Sequence, residues 1–138
     1  MVNIMQTRGT YLLDTCICIG LIKKMPSVVE HIRQVGADEC KISEITLAEM
    51  YFGAFKSGRE KHFNDVAEIQ TLFEQYPITD SLKEYGNIRW QLEHAGTKID
   101  HFDLLIGATA LHENLIMVTG NVDHFERIPG LRIENWME

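Results

Sequence analysis

Two kinds of apolar pattern alternate along this chain: short unbroken runs, and sets spaced at three and four residues. Residues 10–13 (TYLL) form a β-prone run that stops at Asp14, and residues 115–119 (LIMVT) form another. Runs of this length without polar alternation predict strands buried on both faces. Weaker candidates at residues 39–43, 77–79 and 131–133 extend the set of strands. Helices are expected at 15–24 and at 26–35, the second opened by Pro26 and closed by Gly36, positions that suit each residue. Residues 44–57 are dense in helix formers and stop at Gly58. Residues 59–75 place Phe63, Val66, Ile69, Leu72 and Phe73 at helical spacing, and Leu82, Tyr85, Ile88 and Leu92 do the same up to a closing glycine, Gly96. A last helix is expected over 103–113. Buried strands alternating with helices imply an α/β architecture with a mainly parallel central sheet flanked by helices in three layers, flavodoxin-like or similar. Neither repeat nor linker interrupts the pattern, so one domain spanning residues 1–138 is expected.

Composition narrows the possibilities. At 138 residues with 45% apolar and 24% charged content, folding should bury roughly 68% of the unfolded surface, enough for a core without structural metal or disulfides. The three cysteines, Cys16, Cys18 and Cys40, are odd in number and lie within or beside apolar runs, which fits a reducing cytoplasm. No apolar run approaches the roughly 18 residues of a membrane span, and the start MVNIMQTRGT carries no long apolar segment of the signal-peptide kind. A cytoplasmic protein without membrane contact is expected. The net charge of -7 argues against a broad basic face for nucleic acid, so any such contact must be local or metal-mediated.

The chemistry lies in where the acids fall. In open parallel sheets functional groups gather at the carboxyl ends of strands. Asp14 ends the first strand; Thr119, Asn121 and Asp123 follow the strand LIMVT; Asp103 opens the helix leading into that strand; Glu49 lies early in the helix after the second strand. Each acid also has an ordinary role open to it. Asp14 or Thr15 can cap a helix, Asp103 can complement a helix dipole with Asp100 as cap, and Thr46 with Glu49 has capping-box spacing. Glu44 is an alternative ligand to Glu49, both expected near the core, and Asn121 and Asp123 can belong to a simple turn. Convergence favours a site, because a parallel sheet delivers acids from different elements to one edge. Gly107 and Ala110, on the helical face of Asp103, would let that helix approach the sheet and Asp14. Clustered carboxylates repel and require protons or cations, and oxygen-only ligands select Mg²⁺ or Mn²⁺. The six histidines contain no HExxH, the pair Cys16 and Cys18 reads as core, and there is neither a Walker loop nor a GxGxxG.

At these residues the sequence resembles the PIN-domain ribonucleases, and within them the VapC-like toxins of VapBC-type toxin and antitoxin pairs. The stretches YLLDTCICIGLIK, ISEITLAEMYFGAFKS, IDHFDLLIGATAL and LIMVTGNVDHFERIPGLRIENW carry the likeness in order. The resemblance implies a PIN-like domain with Asp14, Glu49 and Asp103 as metal-binding acids, selecting Glu49 over Glu44. Asn121 takes the family's fourth position, with Asp123, Thr15 and Thr119 as auxiliaries. Cys16 stands where these toxins commonly have Asn. The implied activity is RNA phosphodiester hydrolysis with one or two Mg²⁺, Mn²⁺ being possible, at Asp14 and Asp103 with Glu49 and Asn121 in support. Lys23, Lys24 and Arg89 are candidates to guide the RNA backbone, with Lys56 and Arg59 beside them. The implied partners are RNA, a VapB-like antitoxin and a second copy of the toxin. Tyr51, Phe52 and Phe55 are a candidate antitoxin surface, although core packing is the more ordinary role for them. The rivals are a binding module of the same fold that has lost catalysis, suggested by Cys16 and the amide of Asn121, and a receiver-like phosphoacceptor. The latter needs a lysine after a late strand, and none follows LIMVT.

Overall fold

The computed structural model describes residues 10–138; the segment MVNIMQTRG read above lies outside the described residues. Strand β1 (Tyr11–Leu13) ends at Asp14, and helix α1 (Thr15–Ile22) starts at once. The turn is tight because Asp14 is the cap: its Oδ1 accepts from the Thr15 N–H at 2.8 Å. Helix α2 (Pro26–Val35) begins on proline, which lacks only an N–H that a first turn leaves unpaired anyway. Strand β2 (Cys40–Ser43) runs directly into α3 (Glu44–Ser57), where Ser43 Oγ accepts from Ile45 N at 3.0 Å and Gly58 closes the helix with φ 68°. That left-handed conformation favours glycine.

Then come α4 (Glu60–Leu72), β3 (Glu74–Tyr76), α5 (Leu82–Ala95), α6 (His101–His112), β4 (Ile116–Val118), α7 (Val122–Phe125) and β5 (Ile133–Glu134). All pairings are parallel, in the order β3-β2-β1-β4-β5. This is not the 2-1-3-4-5 order of a flavodoxin. The chain builds outward from β1 to β3, then returns to the other side of β1 with β4, so strand order reverses between β1 and β4. There Leu12 pairs Met117 and Leu13 pairs Val118. The Asp14 N–H extends the ladder by donating to Val118 O at 2.9 Å.

Strand alternation divides the interior into two layers. Leu13, Val118, Cys40 and Ile42 pack with Ile17, Val28, Met50, Val66 and Ile69 from α1 to α4. Leu12 and Met117 pack on the opposite face with Ile88, Leu104, Ile106 and Phe125 from α5 to α7. The three-layer α/β expectation holds.

Several boundaries differ from those the sequence predicts. The third strand is Glu74–Tyr76, not residues 77–79, because Pro77 has no N–H to give a ladder and Ser43 pairs Tyr76 instead. A half-exposed edge strand reading Glu-Gln-Tyr has no apolar run to reveal it. The last strand is shifted to Ile133–Glu134, since Thr119 N finds its acceptor in Glu134 O at 3.0 Å. Helix α6 opens at His101, with Asp100 as cap, so Asp103 is its third residue. Residues after Asn121 form the short helix α7 rather than the simple turn that the sequence leaves open. Gly107 makes a close approach, but to the segment after β4: an added Cβ would lie 2.5 Å from Ile128 Cδ1.

Candidate active site

The reversal in strand order opens a cleft of about 470 Å³ lined by Asp14, Thr15, Cys16, Ile19, Glu49, Asp103, Gly120, Asn121 and Met137. Asp14, at the end of β1, is only 5% exposed. Besides capping α1, it accepts at Oδ2 from Thr119 Oγ1 at 2.8 Å, and Thr119 Oγ1 in turn accepts from the Asn121 N–H at 2.9 Å. The end of β4 and the loop after it are thereby fixed on the Asp14 carboxylate.

Glu49 reaches the cleft from α3. Its Oε1 accepts from Thr15 Oγ1 at 2.6 Å, and Thr46 Oγ1 stands 3.5 Å from the same hydroxyl. The capping-box reading of Thr46 and Glu49 is overturned, because α3 starts two residues before Thr46 and Ser43 is its cap. The alternative ligand Glu44 is exposed rather than near the core, and it is committed elsewhere: its Oε2 accepts from Ile78 N at 2.7 Å. Asp103 comes from the first turn of α6, where Asp100 takes the capping role. Asp103 Oδ2 lies 3.1 Å from His124 Nδ1.

The three carboxylates are held in a common field. Burial pushes the Asp14 carboxyl above its usual range, opposed by the Thr119 and Thr15 hydrogen bonds and reinforced by the charge of Asp103. Burial likewise raises Glu49, with Asp14 adding to it, and raises Asp103, with Asp100 and Glu49 adding to it. His124 acts on Asp103 in the other direction. Among the described residues no lysine or arginine lines this cleft. Hard oxygen donors lining one cleft, with His124 as the basic neighbour of Asp103, are of the kind that suits Mg²⁺ or Mn²⁺. Among the described residues no three His, Cys, Asp or Glu side chains are gathered so as to hold a metal ion by themselves.

Cys16 is partly exposed in the cleft while also packing against the core cluster that contains the fully buried Cys18. Its Sγ accepts from the Gly120 N–H at 3.4 Å and lies 3.7 Å from Asp14 Oδ2. All three cysteines are free thiols. Asn121 lines the cleft as the residue preceding α7, whereas Asp123 is exposed on α7 and does not. Lys23 and Arg59 line a neighbouring groove that shares Thr15 and Glu49 with the cleft. Lys24 lines a depression between α1, α2 and α4 that shares no residue with the cleft. Sequence reasoning missed Thr46 as a partner of Thr15, and His124 altogether; the only signal for each was its three-residue step from Glu49 or Asn121.

Fold and cleft together define a parallel α/β domain with a carboxylate site at the point where strand order reverses. The sequence pattern of the PIN domain matches residues 11–131, and the chain belongs to that family. Ribonuclease VapC2 of Haemophilus influenzae is 37% identical over 132 residues, covering 92% of this chain and 98% of that one. The tRNA(fMet)-specific endonuclease VapC of Salmonella typhimurium is 35% identical, covering 91% of this chain and 97% of that one. Among solved structures, DNA-bound VapBC from Salmonella typhimurium superposes with a TM-score of 0.86 at 35% identity, covering 92% of this chain and 98% of that one. VapBC2 from Rickettsia felis, bound to a promoter fragment, gives 0.84 at 35% identity, covering 91% and 98%.

Proposed function

We propose that this protein is a metal-dependent endoribonuclease and the toxin of a type II toxin and antitoxin pair, hydrolysing RNA phosphodiester bonds at Asp14, Glu49 and Asp103. The observation that carries this reading is the meeting of these acids, from three separate elements, in one cleft that among the described residues has no lysine or arginine. Relatives named as VapC ribonucleases over nearly the whole chain support it.

Asp14 and Asp103 are the residues to hold Mg²⁺ or Mn²⁺, with Glu49 set by Thr15 to assist. When bound, such an ion neutralises a scissile phosphate and lowers the pKa of a water for in-line attack. The chain's own part is orientation. Thr119 and the Thr15 N–H hold the two oxygens of Asp14, His124 holds one oxygen of Asp103, and Cys16 ties α1 to Gly120 where the loop after β4 borders the cleft. Cys16 thus supplies a polar bridge at the position where these toxins commonly have Asn, which favours an active enzyme over an inert binding module.

The proposed setting is the cytoplasm, with a VapB-like antitoxin and a toxin homodimer as partners. Among the described residues no helix is long and apolar enough to cross a membrane. Toxin freed of antitoxin should cleave RNA with Mg²⁺ or Mn²⁺ and stop when EDTA is added; tRNA(fMet), for which the Salmonella relative is named, is the first substrate to try. Asp14→Asn and Asp103→Asn should each abolish cleavage with the fold retained. Full activity in either variant, or in EDTA, rejects the site, and RNA binding without metal-stimulated cleavage selects the binding module.

A further inference from the structure

Beside the carboxylates lies a second cleft, of about 910 Å³, lined by Arg89, Lys98, His101, His124 and Arg127 together with Glu93 and Asp100. His124 joins the two clefts, since it lines this one while its Nδ1 touches Asp103 Oδ2. The basic side chains here are not equivalent. Arg89 is engaged, with Nε on Glu93 at 2.8 Å and Nη1 donating to the Tyr85 hydroxyl at 3.2 Å. Arg127 donates one Nη1 to the backbone carbonyl of Lys98 at 3.0 Å, which positions its guanidinium without neutralising it. Neither Arg127 nor Lys98 forms an ion pair among the described residues. In a chain of net charge -7, Arg89, Lys98 and Arg127 outnumber Glu93 and Asp100 in this cleft, a local reversal of sign in which Lys98 also acts on Glu93. The groove on the other side, next to Glu49, is lined largely by Ile19, Ile22, Met50, Ala54 and Val66, and its Lys61 is paired with Asp65 at 3.0 Å. Its Lys23 and Arg59 are likewise outside any ion pair among the described residues, but they border an apolar lining, whereas Lys98 and Arg127 share their cleft with His124, the neighbour of Asp103.

We infer that the Lys98 and Arg127 cleft takes the phosphodiester backbone of the RNA strand on one side of the scissile phosphate, as a sequence-independent subsite. The inference rests on the ribonuclease reading and adds the path by which substrate leaves the carboxylates. Phosphate contacts fix register without reading bases, so the subsite raises affinity for any single strand alike.

The test is the double variant Lys98→Gln/Arg127→Gln, with Arg33→Gln/Lys83→Gln as a control of equal charge. Binding of a fluorescent single-stranded RNA is followed by anisotropy in EDTA from about 50 to 200 mM salt. Loss of two phosphate contacts should flatten the plot of log affinity against log salt by about 1.4, at ~0.7 per contact for single strands, for pyrimidine and purine strands alike. In Mg²⁺ the variant should raise KM several-fold and leave kcat nearly unchanged, while the control moves neither. A slope and KM equal to wild type, a loss matched by the control, or a loss confined to one base composition overturns the subsite. If Arg127→Gln does not fold, Lys98→Gln alone should flatten the slope by about 0.7. Failure of the wild type to cleave any RNA rejects the ribonuclease reading, and the binding slopes still decide the cleft.

Discussion

Thr15 donates its hydroxyl hydrogen to Glu49 across 2.6 Å, joining the first residue of α1 to the middle of α3 over 34 positions of sequence. The contact orients a carboxylate that neither its own helix nor burial would fix. Thr15→Val keeps the shape and removes the donor. The metal concentration for half-maximal cleavage should rise roughly tenfold, the usual cost of losing a group that orients a ligand, while Thr15→Ser should behave as wild type. Equal metal dependence in Thr15→Val and wild type would show that Glu49 needs no such partner.

The three acids should make the metal-free protein less stable at neutral pH than in mild acid. Their carboxyls are raised in the folded chain, so between the ordinary carboxylate values of 3.8 and 4.5 and those raised values the folded state binds more protons than the unfolded one. Stability from these groups therefore falls as pH rises through that window. Asp103→Asn should raise the Tm of the metal-free protein by a few degrees at pH 7.5 and remove the further rise that Mg²⁺ gives wild type. A Tm lowered by Asp103→Asn in EDTA would count against mutual repulsion in the cleft.

His112 and Glu84 form a surface pair far from the cleft, Nδ1 to Oε2 at 2.9 Å. The hydrogen bond raises the imidazole above its ordinary 6.5 and lowers the carboxyl below 4.5. The pair's contribution is complete only where both groups are charged, and its histidine part is lost as pH rises through the raised value. A titration of ring protons by NMR should place the His112 midpoint above 6.5, and Glu84→Gln should bring it back down.

Trp136 lies beyond the stretch matched by the PIN domain pattern, yet it is only 1% exposed. Its ring stacks on His31 at 5.2 Å and tilts against Tyr11 at 5.0 Å, and its Nε1 donates to Glu134 Oε1 at 2.9 Å. Trp136→Ala should cost about 3–5 kcal/mol in urea unfolding, as for other fully buried aromatics. A cost near zero would mean that the C-terminal segment is not part of the core.

Phe52 and Phe55 are 68% and 73% exposed, so core packing, the ordinary role considered for them, is excluded. Phe55 meets Phe63 edge to face at 4.8 Å, and Tyr51 turns away to donate to Gln70 at 2.9 Å. If this face of α3 holds the antitoxin, Phe52→Ser/Phe55→Ser should leave Tm almost unchanged and weaken the complex more than tenfold by calorimetry, the scale of an aromatic hot spot. Unaltered antitoxin affinity would move that contact elsewhere.

The legible parts of this fold were those written as local periodicity. The runs TYLL and LIMVT announce the two central strands because strands covered on both faces carry no polar alternation, and Asp14 is visible as the residue at which the first run stops. Strand β3 was misplaced because an edge strand with one covered side needs no apolar run, and α7 was missed because four residues are too few for a helical period to show. The residue types of the site were readable as well, since acids after buried strands are few even in an acidic chain.

What the sequence by itself determined was the alternation of strand and helix, the carboxyl-end position of the acids and the family likeness they carry. Tertiary structure alone decided which acids meet. Glu44 and Glu49 are five residues apart on one helix, yet one is drawn to Ile78 N on the β3 side and the other to Thr15 on the first helix. His124 and Asp103 become partners only because α7 packs on α6 once the chain has passed through β4. Side-chain partners across such distances depend on strand order, which local periodicity does not encode, and strand order is fixed by the packing of both faces at once.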